Sequence, residues 1–549
     1  MNTPQRILRN GALSYLPEGF HRLNGTRKVD AILSLEEPES FIQDLAPDAF
    51  YLLVQDIGST DCTELLLLSS LEQRQVFSDI ECWQAGEFVS TAFEEYLDLL
   101  EQCSADLLDE TVSGLDPEVL VSYLLQNIVL VADRTEESRI ELLEQLHDFV
   151  QSPDGDFWLF LPHGSSEVKK RVRWFLNLLY RIDLNYARSV LFSVKIGLRA
   201  ENEELALRFR IGRLADLGFP EPADAQTLYA GIDVNLVRQT VDDQIPPPVD
   251  DGMERLNWAL ARTHRQGSFL SRCLAELQET ERFTTEFAYC VNRAIVASPE
   301  GLHLRDLSRI ETLGRVVYAT VSLGLESLSD GDEARGTALL ERAWCLQLFQ
   351  VGQSLAVSLA NRARLIQERA GSLLDNDMQA LIGGLRCLPQ PLYSEGTSVP
   401  RPFETVGEVN LVSGHLEAIE RTCEVFEEAF GFSLERFERH EFAGIGEDDR
   451  LFIHLDTLAR TLVAHEAAGE TPSFEPLTLS QLKKVRERVG ELEEVGLALG
   501  QRIGLGADGI LREAGRSLSE VLQPLRTDEP LDARFFTGLV LVQQPDTAT

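Results

Sequence analysis

This sequence predicts an all-α protein of stacked helical hairpins, and three observations carry that expectation. Apolar residues recur at helical spacing from one end of the chain to the other, while strand-like alternation is scarce. Helix-start signals built on proline and acidic residues punctuate residues 30–130. Hydrophobic residues make up 44% of the 549, enough apolar material for packed cores and too much for a disordered chain.

In chain order, Pro38-Glu39, Leu45-Ala46-Pro47-Asp48, Ser70-Leu71-Glu72 and Leu115-Asp116-Pro117-Glu118 each open a short helix. Proline at the first helical position loses nothing by lacking an N–H, and a carboxylate in the first turn meets the positive end of the helix dipole. Asp116 is the expected N-cap. Four or five such helices over residues 30–130 have the rhythm of stacked α-hairpins. The segment 138–150, with Ile140, Leu143, Leu146, Phe149 and Val150, predicts an amphipathic helix. So does 171–182, where Val172, Phe175, Leu176, Leu179 and Ile182 fall at offsets 0, 3, 4, 7 and 10. The same reading covers 338–360 around Trp344, Leu348 and Leu355, and 450–464 with Leu451, Phe452, Leu455, Leu458 and Leu462. Residues 535–542 (FFTGLVLV) are the best candidate for a short C-terminal strand, with a buried extended tail as the alternative.

Proline sets the boundaries. Pro246-Pro247-Pro248 forbids a continuous helix and predicts a stiff connector, and residues 388–407, with Pro389, Pro391, Pro400 and Pro402, predict a long loop. The chain therefore divides into an N-terminal short-helix repeat region (1–150), a helical region (151–245), a central bundle (252–387), the Pro-rich loop (388–407) and a C-terminal helical region (408–549).

A net charge of −39 argues against nucleic acid and anionic membrane surfaces as partners, because both repel an acidic chain. Of the 50 basic residues only six are lysine, so the positive charge is nearly all arginine, the residue suited to bidentate carboxylate pairing. The eight cysteines hold no CxxC and no pair closer than 17 residues, which excludes zinc-finger spacing and a disulfide framework. With no signal-peptide-like start, and a longest apolar run of 14 residues at 119–132, the expected location is a reducing cytoplasm without a membrane span.

No catalytic, cofactor-binding or metal-ligating residue is assigned. Gly504-Leu505-Gly506-Ala507-Asp508-Gly509 has GxGxxG spacing but follows a helical pattern, so a helix–helix turn is the better account than a dinucleotide site. His454 and His465, three turns apart on one expected helix, are about 16 Å apart and cannot share a metal. The acidic neighbourhood of His440, Glu441, Glu447, Asp448 and Asp449 lacks EF-hand spacing and reads as a solvated turn. Charge reverses locally only in Lys169-Lys170-Arg171-Val172-Arg173-Trp174, with Arg181 following. Lys170, Arg171, Arg173, Trp174 and Arg181 are therefore the candidate interaction residues, facing acidic groups of the same chain or of a partner.

The short leucine-rich helices begun by L-x-P-D (Leu45 to Asp48) and L-D-P-E (Leu115 to Glu118) resemble the superhelical N-terminal domain of MgtE-type magnesium channels. That resemblance covers about a hundred residues and implies architecture without site residues. The chain as a whole resembles an uncharacterised family of acidic bacterial helical proteins, which implies no known activity. The expected function is a non-enzymatic protein–protein interaction scaffold or regulatory adaptor, since stacked helical pairs present extended surfaces. The alternative is an enzyme or small-ligand-binding protein with a pocket between the central and C-terminal helical regions, closed by residues 388–407.

Overall fold

The computed structural model describes residues 5–9, 12–16, 23–58, 61–84, 86–164, 166–197, 199–241, 265–277, 281–299, 301, 307–394, 398–438, 448–524 and 531–543. Among these the fold is all-α with three small antiparallel sheets. They are the hairpin Gln5–Arg9/Ala12–Leu16, the ladder Trp83–Gln84/Glu87–Phe88, and a sheet in which Phe157–Leu161 lies between Leu130–Asp133 and Asp148–Gln151. No described helix is long and apolar enough to cross a membrane. The chain forms two compact units, one of residues 1–230, 241–321 and 333–349, the other of residues 231–240, 322–332 and 350–549.

The first unit opens with short helices that start where proline and cap residues dictate: Pro38–Gln43, Pro47–Ile57, Leu71–Glu81 and Pro117–Asn127. Ser70 accepts from the Gln73 N–H at 3.2 Å while the Gln73 side chain accepts from the Ser70 N–H at 2.9 Å, a reciprocal capping box. The Gln73 amide also donates to the carbonyls of Ile42 (2.6 Å) and Leu45 (2.8 Å), satisfying groups that the end of helix Pro38–Gln43 leaves open. Asp116 occupies the predicted N-cap position but makes no side-chain cap bond, because its carboxylate is taken by Arg213. Helix Ser166–Ile182 buries Val172, Phe175, Leu176 and Leu179 as its spacing requires. There Phe93, Tyr123 and Phe175 form a chain of ring contacts at 5.5 and 4.7 Å.

Four expected elements come out differently, each for a local reason. The predicted helix 138–150 stops after Glu137–Glu144, and Phe149 and Val150 join the strand Asp148–Gln151 opposite Phe160 and Leu159. Aromatic and β-branched side chains fit that pleated, half-covered surface better than a third helical turn. The segment 338–360 is broken: Glu333–Leu340 ends, half-exposed Trp344 sits in the gap, and Cys345–Ala370 restarts with Glu286 accepting from the Cys345 N–H at 2.7 Å. The segment 450–464 is split into a 3-10 turn Asp448–Phe452 and helix Leu455–Ala467. His454 starts the second helix by donating its N–H to Thr457 Oγ1 at 3.2 Å, and Leu451 and Phe452 are exposed. At the C-terminal end, Ala533–Phe536 is a 3-10 turn, and Leu539 to Val542 form a buried tail with a single parallel bridge, Val542 to Leu477.

In the second unit, Gly504 (φ +74°), Leu505 (φ 56°) and Gly506 (φ +69°) make the turn between helices Leu492–Ile503 and Ala507–Leu522, so the GxGxxG run is a helix–helix turn. These helices touch backbone to backbone. A Cβ added to Gly496 or Gly515 would lie 2.1 Å from the Leu511 or Leu492 carbonyl oxygen. The Pro-rich segment is fastened to its surroundings among its described residues. Tyr393 and Arg401 exchange backbone bonds at 2.7 and 2.9 Å, Phe403 is fully buried, and Gln353 donates to the Pro389 carbonyl at 2.7 Å. The connector at Pro246-Pro247-Pro248, residues 395–397 and the acidic neighbourhood of His440, Glu441 and Glu447 lie outside the described residues.

Candidate functional site

A cavity of about 690 Å³ lies within the first unit. Three elements build it. Helix Arg199–Asp216 supplies Leu207, Arg210, Ile211 and Leu214, which at spacings 0, 3, 4 and 7 share one helical face. The turn after helix Leu71–Glu81 supplies Trp83, and the end of helix Glu281–Ala297 supplies Val296 with Ser298 and Pro299 beyond it. Phe219 and the prolines at 220 and 222 complete a mostly apolar wall, and exposed Glu221 adds a carboxylate to it.

Among the described residues, Arg210 is the one cation lining that wall. Its Nε donates to the Asp79 carbonyl at 2.6 Å, and its guanidinium carbon sits 5.6 Å from the centroid of the Trp83 ring, within cation–π range. Burial pushes the Arg210 guanidinium down to about 10, against the pull of Asp79. Trp83 is 1% exposed, and its indole N–H has no acceptor among the described residues.

Next to Arg210 runs a partly buried ionic network. Arg213 grips the Asp79 carboxylate through Nε (2.7 Å) and Nη2 (2.9 Å) and reaches Asp116 through Nη1 (2.6 Å). Burial counts against both partners. It raises the Asp79 carboxyl, yet Arg213 itself is held above its ordinary range by the bonds to Asp79 and Asp116. The bidentate geometry decides for the ion pair, since only a carboxylate accepts both N–H groups. Arg74, also buried, donates to the Ser69 carbonyl at 2.5 Å and pairs with Glu110 at 2.8 Å, while Tyr96 donates to the Arg74 carbonyl at 2.8 Å. These groups hold helix Leu71–Glu81 and so fix Trp83 in place.

The sequence-predicted interaction residues lie elsewhere, on helix Ser166–Ile182. Arg171 makes a bidentate pair with Asp98 at 2.7 and 2.5 Å, Arg181 another with Asp109 at 3.0 and 2.5 Å, and Trp174 donates to Glu101 at 3.4 Å. Lys170 pairs with Glu167 at 2.7 Å, and exposed Arg173 points to no bond among the described residues. Four of the five are therefore engaged with acids of their own chain. The cavity residues escape a reading based on charge runs: Arg208 and Arg213 flank Arg210 in sequence, and only the helical face Leu207, Arg210, Ile211 and Leu214 sets it inside an apolar stripe. That stripe, Leu207-x-x-Arg210-Ile211-x-x-Leu214, is the signal that marks it.

A smaller cavity of about 330 Å³ lies in the second unit, between residues 373–378 and the helices Val406–Phe430, Leu455–Ala467 and Ala507–Leu522. His415, His454, Asp375 and Glu513 line it, and no described residue of 388–407 does. No group of three or more metal-ligating side chains occurs among the described residues, and all eight cysteines are free, with only Cys387 exposed. No curated protein and no solved structure matches the chain, and the likeness to the MgtE-type domain is not shown. A family model described as a family of unknown function, DUF6178, matches residues 7–541, and the chain belongs to that family.

Proposed function

We propose that this chain is a small-ligand-binding protein whose binding site is the cavity under Arg210. The observation that carries the reading is the combination of about 690 Å³ of apolar-walled space with one partly buried guanidinium among the described residues that line it. Ligand sites have this character: a volume of a few hundred Å³, hydrophobic walls and a small number of placed polar groups. The test uses N-phenyl-1-naphthylamine, a neutral probe that fluoresces in apolar surroundings. Saturable one-to-one binding to the wild-type chain, lost in Ile211→Trp, which fills the cavity from its helical wall, is the expected result. No saturable binding, or binding indifferent to Ile211→Trp, overturns it.

The interaction-scaffold reading stays as a second proposal, favoured by the relay of short helices. Pro47–Ile57 packs on Leu71–Glu81, Leu71–Glu81 on Ala105–Gly114, and Ala105–Gly114 on Ser90–Cys103. Such a relay builds an extended surface from local contacts. A stoichiometric protein partner retained equally by wild type and Ile211→Trp supports a scaffold independent of the cavity. Failure to retain any partner removes it.

A further inference from the structure

We infer that the cavity selects an organic monoanion: one carboxylate-like group, held by Arg210, on an apolar body that lies against Leu207, Ile211, Phe219 and Val296. The inference rests on the ligand-binding reading above and adds the chemistry of the ligand.

The first argument is the state of Arg210. Its Nε is committed to the Asp79 carbonyl at 2.6 Å, and no other hydrogen bond or ion pair of its guanidinium exists among the described residues. Two Nη groups, four N–H donors, are left at a wall made mainly of hydrocarbon. Burial lowers the Arg210 guanidinium to about 10 although the Asp79 carboxylate pulls the other way, so the group gives up part of its hydration without a direct ion-pair partner among the described residues. An anion that accepts from both Nη groups removes the penalty through the fork geometry for which arginine is suited.

The second argument limits the negative charge that the site accepts. Arg213 is divided between two carboxylates, Asp79 and Asp116, so those three groups carry a single net negative charge. Arg210 neutralises it. A ligand bearing one negative charge meets an unused set of donors, whereas each further charge faces Asp79, Asp116 and the Glu221 carboxylate in a chain already at −39. The third argument is Trp83. Its indole N–H is buried without an acceptor among the described residues, in a residue that lines the same space.

The experiment compares two probes with the same aromatic body. 8-Anilinonaphthalene-1-sulfonate carries one anionic group, and N-phenyl-1-naphthylamine lacks it. The wild-type chain is expected to bind the sulfonate about tenfold or more tightly than the neutral probe, as one charge-assisted contact implies. Arg210→Met is expected to erase that preference, read as the ratio of the two probe affinities measured in the same variant. Arg210→Lys, which keeps the charge and loses the fork, is expected to fall between the two. If Arg210→Met fails to fold, the wild-type preference and the Arg210→Lys decline carry the test. Equal binding of both probes, with both lost in Ile211→Trp, overturns the monoanion inference and leaves the cavity reading standing. Absence of any binding that Ile211→Trp removes overturns both.

Discussion

The Arg210 guanidinium lies 5.6 Å from the centroid of the Trp83 ring while its Nε donates to the Asp79 carbonyl at 2.6 Å, so one side chain ties a cavity wall to the end of helix Leu71–Glu81. Everything proposed for the first unit depends on that arrangement staying rigid. Trp83 is held from the other side by an edge contact to Phe88 at 5.5 Å. Trp83→Ala leaves a void in a buried position and should destabilise the chain by about 3–5 kcal/mol, and Trp83→Phe by clearly less. Denaturant unfolding followed by circular dichroism measures both; equal loss in the two variants contradicts the packing role.

Asp79 and Arg213 should be energetically coupled. Removing one partner strands the other in a buried place, so Asp79→Asn and Arg213→Met should each lose about 3–5 kcal/mol. The double variant should lose less than the sum by about 1–3 kcal/mol, because no buried charge is left unmatched across that pair. A double-mutant cycle in urea reads the coupling. Additive losses contradict a direct ion pair.

Helices Leu492–Ile503 and Ala507–Leu522 should tolerate no methyl at their crossing. A Cβ on Gly500 would fall 2.3 Å from the Asp508 Cα, and the backbone there has no flexible side chain to move aside. Gly500→Ala should therefore destabilise the second unit by about 1–3 kcal/mol, despite alanine's better helix propensity. Gly509→Ala, where a Cβ meets nothing within 4 Å, should be neutral or slightly stabilising. Thermal unfolding that ranks the two variants the other way contradicts the close approach.

Acid should weaken the first unit through Asp154. Burial pushes its carboxyl up, but hydrogen bonds from Ser152 at 2.6 Å and Arg188 at 2.7 Å outweigh that and hold it at about 2. A carboxyl depressed below its unfolded value of about 3.9 contributes stability above that pH and loses it as pH falls toward the folded value. Wild-type melting temperature should drop between about pH 4 and pH 2. Asp154→Asn should be less stable at neutral pH with a shallower acid limb, and a variant whose acid limb is unchanged contradicts the assignment.

Much of the architecture is legible in the sequence, and the exceptions have physical causes. Helix starts at Pro38, Pro47, Leu71 and Pro117 follow from cap and proline chemistry that is local. Breaks at Trp344 and His454 do not show in periodicity, because the caps that create them come from distant or non-standard partners such as Glu286. The strand at Phe149 and Val150 depends on Phe157–Leu161 being available to pair. The basic run at Lys169 to Trp174 draws attention by composition, yet Asp98, Glu101 and Asp109 meet it from helices about seventy residues earlier. The cavity depends on three segments, around Trp83, Arg210 and Val296, whose meeting no local pattern announces.

Hydrogen–deuterium exchange of the full chain with and without saturating 8-anilinonaphthalene-1-sulfonate tests the central claim most directly. Protection concentrated in residues 79–88, 207–222 and 290–301, and absent in Arg210→Met, is the result expected of a monoanion seated on Arg210. Protection confined to the walls of the smaller cavity, around residues 415–422 and 454–460, or no protected segment at all, contradicts it.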